Sequence, residues 1–351
     1  MRTLGGKWIW VWNLRRCDGG DTWRISSRLQ SAGCAGAIVK AFDGPRWFNQ
    51  GHSFQQIAAE MKSHGAAAGA WGYVYGDDPA GEAKRAIETV QYGEADLLVL
   101  DVETELKHRP EAAEEICRRI REALGPDYPL YYSSFAISRY HRAFPFSVFN
   151  RHCTGAAPQV YWHAFRWPVE QSLAMTYEDY AAFGVAPSRV FPVGGLYQEG
   201  LVRYPPAEEV LEFGARAAQR GSAGVSFWSY EHMSDEQWQQ VTAIPGFNVD
   251  QVDGQEEKDM SSAEFEQVNR SLGELSGRVQ HLEAEVQRLG GGVATAPPPR
   301  TYTVLASDTL SGIAAKLGIA DWRRLYEANR GVIGADPNRI FPGQVLVVPQ
   351  G

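Results

Sequence analysis

The sequence is poor in several features that would each point to a particular class of protein. It contains no run of 18 apolar residues, so neither a membrane-spanning helix nor membrane insertion is predicted. The apolar stretch Trp8–Trp12 is too short for the core of a secretion signal. We therefore expect synthesis in the cytoplasm without a signal peptide, so that a target outside the cell would have to be reached by another route than ordinary export.

Basic residues and cysteines are scarce as well. Lys and Arg together number 34 against 42 Asp and Glu, and no basic stripe is present, so nucleic acid is not expected as a partner. The histidines lack a metal-ligand spacing such as HExxH, and the glycine pairs lack a phosphate-loop context, so we predict neither a metal nor a cofactor. The cysteines show no CxxC spacing and are expected to be free thiols: Cys17, Cys34, Cys117 and Cys153.

Residues 1–246 contain a regular alternation of strand-like and helix-like segments. Eight strand candidates with helical crossovers match an α/β fold of the (β/α)8 barrel type in number and length. Near-continuous apolar strands are typical of a parallel sheet that is buried on both faces. A doubly wound open sheet is the alternative. The strand candidates are Trp8–Leu14, Gly36–Phe42, Gly69–Tyr75, Asp96–Glu103, Pro129–Ser134, Gln159–His163, Phe191–Leu196 and Val225–Tyr230.

Residues 247–262 are predicted to be a polar linker and residues 291–300 a Gly/Pro-rich one. Between them, over residues 263–290, apolar residues recur in alternating steps of three and four, which predicts a coiled-coil helix. A narrow apolar stripe needs a partner, so we expect a homo-oligomer, most simply a parallel dimer; packing against the barrel is the alternative. The stripe comprises Phe265, Val268, Leu272, Leu275, Val279, Leu282, Val286 and Leu289.

Residues 301–350 have the pattern of a small βααβ domain. Tyr302-Thr303-Val304, Asp308-Thr309-Leu310 and Ile340-Phe341-Pro342-Gly343-Gln344 closely resemble the motifs of the LysM module. The resemblance implies binding of N-acetylglucosamine-containing polymers, peptidoglycan or chitin, in a shallow groove. In the alternative interpretation the same residues only cap a helix and fill a core, and the module serves in assembly. The groove residues would be Ser307, Asp308, Thr309, Leu310, Ile340, Phe341 and Pro342.

The strongest chemical signal lies in the fourth strand candidate, LVLDVETE. Asp101 and Glu103 are two residues apart, so on a strand both side chains point to one side, with Cα atoms about 6.5–7 Å apart. The apolar run before them places both at the carboxyl end of the strand, where barrel enzymes carry their active sites. One carboxyl is expected to have a raised pKa and act as a general acid while the other stays charged. Glycoside hydrolysis uses these two roles; a buried salt-bridge cluster with Lys40 is the alternative.

Together with GAIVKAFDG (36–44), GAWGYVYG (69–76) and PLYYSS (129–134), this strand resembles glycoside hydrolase family 25, the bacterial and phage N-acetylmuramidases. The resemblance implies a lysozyme-like peptidoglycan hydrolase, with Glu103 as proton donor and Asp101 assisting at the reacting sugar. Further substrate contacts are expected from polar and aromatic residues in or near the candidate strands: Asn13, Lys40, Asp43, Tyr73, Tyr131, Tyr161 and Trp228.

The sequence departs from this family at two strands. The first carries Asn13 where the family has Asp, and the seventh offers Gln198 and Glu199 instead of Asp. An asparagine hydrogen-bonds a sugar but carries no charge to oppose a cationic transition state. Two hypotheses follow: a cell-wall hydrolase targeted by LysM, or a non-catalytic glycan-binding or structural protein of a phage tail or related particle. The first would be favoured by a third acid beside Glu103, such as Asp18, Asp43 or Glu199.

Overall fold

A computed structural model describes residues 3–48, 51–198, 204–247, 301–304, 308–333, 336–337, 340 and 345–349. The chain folds as two compact units, Met1–Glu256 and Glu257–Gly351. The coiled-coil helix predicted for residues 263–290, the linker at 291–300 and all of the linker at 247–262 except Phe247 lie outside the described residues. The homo-oligomer expected from that helix therefore stays a prediction.

Eight parallel strands of the first unit close into a barrel, as predicted, and not into an open sheet. Each strand pairs with the next, and the first strand pairs with both the second and the last. A two-stranded hairpin adds one short antiparallel strand, β3. The strands are β1 (Gly6–Val11), β2 (Gly36–Asp43), β3 (Arg46–Trp47), β4 (Ala67–Val74), β5 (Leu98–Val102), β6 (Leu130–Phe135), β7 (Gly155–Val160), β8 (Val193–Gly195) and β9 (Gly224–Trp228).

Helices cover the outside of the barrel, and several begin at residues whose side chains accept hydrogen bonds from the first turn. Asp21, Ser53, Asp78 and Ser234 are such caps, which satisfy amide groups that have no partner within the helix. The helices are α1 (Thr22–Ser31), α2 (Phe54–Ser63), α3 (Pro79–Gly93), α4 (Pro110–Leu124), α5 (Phe146–His152), α6 (Trp162–Phe165), α7 (Val169–Ala181), α8 (Ala207–Gln219) and α9 (Asp235–Ala243).

Two strands differ clearly from their predicted bounds. The first ends at Val11 and not at Leu14, because the Asn13 side chain accepts a hydrogen bond from the Arg15 N–H and starts a 3-10 turn. The strand predicted at Gln159–His163 lies earlier, at Gly155–Val160, and α6 begins directly after Tyr161. Its small residues, Gly155-Ala-Ala, lack the bulky apolar pattern by which strands are recognised.

Strand alternation separates two cores and fixes the direction of the functional side chains. Leu98, Leu100 and Val102 pack outward in the core beneath the helices. Leu97 and Val99 instead point into the barrel, with apolar residues of other strands. Since alternate residues of a strand share a face, Asp101 and Glu103 continue the inward-facing series towards the carboxyl end of the barrel.

The second unit has the predicted βααβ order with one additional short helix. The strands β10 (Thr301–Thr303) and β11 (Val345–Val347) pair antiparallel, and the helices are α10 (Leu310–Lys316), α11 (Trp322–Ala328) and α12 (Arg330–Ile333). Val304, Leu310, Ile313, Leu325 and Leu346 form its core. Across both units, the described helices include none with the length and apolarity needed to cross a membrane.

Candidate active site

An open cavity of about 400 Å³ lies at the carboxyl end of the barrel. Asp101 is the second-last residue of β5, and Glu103 follows directly after the strand. Both side chains line this cavity. Asp101 is buried, at 8% exposure, and Glu103 is partly exposed. The other lining residues come from the opposite and neighbouring strands and the loops that follow them: Trp10, Trp12, Ser133, Gln159, Tyr161, Tyr197, Gln198, Trp228 and His232.

One amide group joins the two carboxylates. Gln159 Nε2 donates to Asp101 Oδ1 at 3.1 Å and to Glu103 Oε1 at 2.9 Å, and lies 3.3 Å from Ser133 Oγ. An amide nitrogen carries two hydrogens and accepts none, so Gln159 holds both acceptors towards one point of the cavity. The side chains of Asp101 and Glu103 are therefore held in place by a residue of another strand, β7.

The carboxyl group of Asp101 has a pKa well above its usual range. Burial is the largest cause, and the nearby charge of Glu103 is the next; Lys40 and the hydrogen bond from Gln159 act in the opposite direction. Because burial and a like charge both disfavour ionisation, Asp101 keeps its proton to a higher pH than a lone carboxyl does. The raised pKa of Asp101 agrees with the expectation that one acid of the pair holds a proton; the resemblance assigned proton donation to Glu103.

Tryptophans form the floor of the cavity and one of its walls. The Trp228 ring contacts the rings of Trp10 (centroids 5.9 Å apart), Trp71 (5.3 Å) and Trp12 (6.4 Å). Trp10 is fixed by a hydrogen bond from its Nε1 to Ser226 Oγ at 2.9 Å, and Trp71 by one from its Nε1 to the Val11 carbonyl at 3.0 Å. Opposite the acids, the cavity thus offers rigid apolar faces of the kind that pack against sugar rings.

Of the seven substrate-contact residues predicted for the barrel, Tyr161 and Trp228 line the cavity. Burial, followed by the charge of Asp101, raises the pKa of the Tyr161 hydroxyl, so this group stays protonated. Gln198 also lines the cavity, as the seventh-strand position suggested, whereas Glu199 lies outside the described residues.

Lys40, Asp43 and Tyr73 lie beside the cavity and do not line it. Lys40 Nζ forms an ion pair with Asp43 Oδ1 at 3.3 Å and lies over the Trp71 ring. The Tyr73 hydroxyl donates to Glu105 Oε2 at 2.7 Å. Glu105 was not predicted, and it is close enough to Asp101 to contribute to its raised pKa. Lys40 thus forms an ion pair with the partly exposed Asp43, while Asp101 and Glu103 line the cavity.

Tyr131 and Asn13 do not line the cavity. Tyr131 is fully buried and its hydroxyl accepts a hydrogen bond from the Leu4 N–H at 3.0 Å. It pairs in register with Val99, one inward-facing layer below Asp101, so a substrate in the cavity does not reach it. The Asn13 side chain caps the turn after β1, and its N–H donates to Glu231 Oε1 at 2.9 Å.

Neither described candidate for a third acid lines the cavity. Asp18 accepts a hydrogen bond from the Tyr230 hydroxyl at 2.5 Å and pairs with Arg28, and Asp43 pairs with Lys40. Among the described residues, Asp101 and Glu103 are thus the acids of the cavity, and both lie on one side of it. Over the same residues no cluster of three metal-ligating side chains occurs, and Cys17, Cys34, Cys117 and Cys153 are buried free thiols.

Four of the seven groove residues predicted for the C-terminal module are described. Asp308 accepts from the Tyr302 hydroxyl (2.8 Å) and pairs with Lys316 (2.6 Å). The helix cap is Thr309, whose Oγ1 accepts from the Gly312 N–H. Leu310 is buried in the core, and Ile340 packs against it. Ser307, Phe341 and Pro342 lie outside the described residues.

Asn329, which the sequence places at the centre of the module, joins its last strand to α11. Its Nδ2 donates to the Leu325 and Val347 carbonyls (2.7 and 2.8 Å), and its Oδ1 accepts from the Val347 N–H. The residue is 2% exposed. The three hydrogen bonds of this buried amide all go to backbone groups, which identifies it as a structural residue.

Replacing Asn329 with Ala is expected to loosen β11. Each buried polar group that is left without a partner lowers the free energy of unfolding by about 1–3 kcal/mol. The substitution removes three hydrogen bonds. Hydrogen exchange at the Val347 amide should accelerate, and retention on insoluble peptidoglycan should fall. Glu327→Ala, an exposed change on the same helix, is the control. Unchanged exchange in Asn329→Ala would show that the three bonds do not hold the strand.

Comparison with known proteins agrees with this division of the chain. Residues 302–349 match the LysM domain family. No curated protein matches the chain in sequence. For the barrel, similarity to known proteins is found in the fold.

Solved structures with the barrel fold include the spore cortex-lytic enzyme SleL from Bacillus cereus (TM-score 0.54, 10% identity, 70% of this chain and 76% of that chain). A family GH18 chitinase from Cycas revoluta (0.52, 11%, 68% and 99%) and the chitinase-like agglutinin RobpsCRA from Robinia pseudoacacia (0.51, 10%, 68% and 98%) share it as well. The specific resemblance to family 25 is not supported, since the barrel resembles those of GH18-type proteins. At these identities the likeness shows the barrel fold that the chain shares with glycoside hydrolases and an agglutinin.

Proposed function

We propose that the protein is a glycoside hydrolase that cleaves a glycan of N-acetylated amino sugars, peptidoglycan or a chitin-like polymer, and that its LysM domain holds it on that polymer. The observation that carries the proposal is the pair Asp101 and Glu103, held by one amide inside a cavity with tryptophan walls. The fold similarity to chitinases and to a cortex-lytic enzyme supports it.

Glu103 is the proton donor in this proposal. It is the more exposed of the two acids, so a glycosidic oxygen entering the cavity meets its carboxyl group first. The pair shares one proton, which burial places on Asp101 before substrate binds. As the glycosidic oxygen binds beside Glu103, this proton passes from Asp101 to Glu103, which gives it to the leaving oxygen while the bond between that oxygen and the sugar carbon breaks. The negative charge then left on Asp101 stabilises the positive charge that develops on the sugar.

The position of the acids favours attack by the substrate itself. Glycosidases that use a protein nucleophile place a second carboxylate about 5–5.5 Å from the acid, and those that activate a water place it about 6.5–9.5 Å away, across the sugar ring. Among the described residues, the cavity has acids on the β5 side alone. Substrate-assisted families dispense with the second carboxylate, and an acetamido oxygen next to the reacting carbon is a suitable nucleophile. This requirement selects N-acetylated sugars as substrates.

The sugar on the non-reducing side of the cleaved bond decides between two specificities. Cleavage after N-acetylmuramic acid would make the protein an N-acetylmuramidase, and cleavage after N-acetylglucosamine a glucosaminidase or chitinase. Both sugars carry the acetamido group that the mechanism needs. A dimer formed through residues 263–290 would present two LysM domains to one polymer and raise retention through avidity.

Digestion of purified peptidoglycan and of colloidal chitin tests the function. We expect new reducing ends from at least one of the two, with product masses that identify the cleaved bond. Retention of configuration, read by NMR at the new anomeric centre, is expected for attack by the acetamido group. Inversion would disprove substrate assistance, and no reducing ends from either polymer would disprove hydrolysis.

The agglutinin among the similar folds favours a second candidate, glycan binding without cleavage. The same cavity and the LysM domain would then hold a glycan while the acids serve as hydrogen-bond acceptors. Retention of the protein on peptidoglycan, without any release of reducing ends by the wild type, is the result expected of this candidate.

A further inference from the structure

Trp12 is an exposed tryptophan at the rim of the cavity. The residue is 42% exposed and lines the cavity, while one side of its ring stacks on Trp228 (centroids 6.4 Å apart, interplanar angle 28°). A large aromatic side chain that is exposed to water does not provide the stabilising free energy that its burial would contribute. Such side chains commonly mark binding surfaces. Trp228 also lines the cavity, so the two rings form adjoining aromatic faces on the wall opposite the acids.

The chain segments that carry these rings are tied together. The Asn13 N–H donates to Glu231 Oε1 at 2.9 Å, and the Tyr230 hydroxyl donates to Asp18 Oδ2 at 2.5 Å. Arg28 pairs with Asp18 at 3.3 Å and with Asp235 at 3.2 Å. These contacts join the loop after β1 to the loop after β9, so that Trp12 is presented on a fixed support. A ligand that stacks on a fixed ring loses less conformational entropy on binding.

His232 adds a polar group to the same wall. It lines the cavity, and its Nδ1 lies 2.9 Å from the Oγ of the buried Ser229. Burial lowers the pKa of His232, so the imidazole is neutral at neutral pH. If Ser229 donates to Nδ1, the proton of the neutral ring resides on Nε2, for which no bond to the described residues is seen. Nε2 is then available as a hydrogen-bond donor for a ligand.

We propose that Trp12 and His232 form a separate sugar subsite, which binds the unit next to the one at Asp101 and Glu103 and so makes the site specific for chains longer than a disaccharide. Trp12 provides the stacking face and His232 the hydrogen bond to a hydroxyl or acetamido carbonyl. The subsite lies on the β9–β1 side, opposite β5 in the barrel. The chemical class of the ligand rests on the proposed function, whereas the position of the subsite rests on the geometry of this wall.

Calorimetric titration of the full chain carrying Glu103→Gln with the N-acetylglucosamine tetrasaccharide tests the subsite. Trp12→Ala should weaken binding by about three- to tenfold, the range expected for an aromatic contact of roughly 0.5–1.5 kcal/mol. His232→Ala should weaken it as well, and the double variant by less than the product of the two effects, since both residues hold one sugar. The LysM domain is unaltered in every variant, so differences between them report on the barrel.

Two matched variants control for folding and for exposed tryptophan as such. Trp12→Phe keeps an aromatic face and should retain most of the affinity, and Trp23→Ala removes a ring that is 58% exposed but outside the cavity, with no change expected. Equal affinity in Trp12→Ala and the parent overturns the subsite, even if the wild type cleaves glycan. A loss in Trp12→Ala alongside an inactive wild type supports the subsite and rejects hydrolysis.

Discussion

Glu103→Gln should reduce kcat on the polymer that the wild type cleaves by about 10²–10⁴-fold, the usual contribution of a general acid. Glutamine keeps the size of the side chain and an oxygen that can accept the hydrogen bond from Gln159 Nε2, but it has no proton of suitable acidity to give. We therefore expect KM and the fold to change little. The measurement is the initial rate of reducing-end release, together with circular dichroism and the affinity for an oligosaccharide.

Glu111→Gln provides the matched control for this experiment. Glu111 is an exposed residue in the first turn of α4, outside the cavity, and the same chemical change there should leave kcat at the wild-type value. Retention of wild-type activity by Glu103→Gln would remove the residue from the reaction and with it the proposed mechanism. An equal loss in both variants would indicate damage to the fold.

Asp101→Asn should lower activity by about 10²-fold, because the variant can no longer place a negative charge beside the developing cation. Its pH profile is expected to change as well. In the wild type the pair keeps a proton to a higher pH than a lone carboxyl does, since each group opposes ionisation of the other. Asparagine removes the carboxyl whose pKa is raised, and with it the proton that the pair keeps to higher pH. The alkaline limb of the kcat/KM profile should therefore move to lower pH.

The same substitution should stabilise the protein at neutral pH. The pKa of Asp101 is raised in the folded state, so folding favours the protonated carboxyl, and the stability associated with it is lost as the pH rises through the folded pKa. Asparagine removes this cost and keeps an oxygen for the hydrogen bond from Gln159. We expect a Tm several degrees above that of the wild type at pH 7 and little difference near pH 4. A lower Tm at pH 7 would contradict the sign of the effect.

The barrel could be predicted because the apolar pattern of each strand and helix is contained in a short stretch of sequence. The strand run at residues 97–100 is apolar on both faces, and helix α4 buries Ala113, Ile116, Cys117 and Ile120 at helical spacing. The inward direction of Asp101 and Glu103 also follows from alternation along one strand. The C-terminal module was recognisable because its motif residues, among them Leu310 and Asn329, also build its core.

The partners of the acids could not be predicted, because they depend on register between strands. Ser133 lies level with Asp101 and lines the cavity, whereas Tyr131 lies level with Val99 and is buried below it. A core residue, Tyr131, and a site residue, Ser133, thus lie only two positions apart on β6. Gln159 carried no signal, since a single glutamine in a strand is unremarkable until the neighbouring strands are aligned. His232 and Trp12 were overlooked because the loops after β9 and β1 meet through tertiary contacts alone.

The pairing of β1 with β9 has a consequence for biosynthesis. Residues Gly6–Ile9 bond in register to Gly224–Phe227, near the other end of the barrel sequence. While the chain emerges from the ribosome, the first strand lacks one of its two neighbours until more than nine-tenths of the barrel has been made. The tryptophan wall, which needs both strands, is therefore assembled last. Chains that end before β9 would carry both acids but no enclosed cleft.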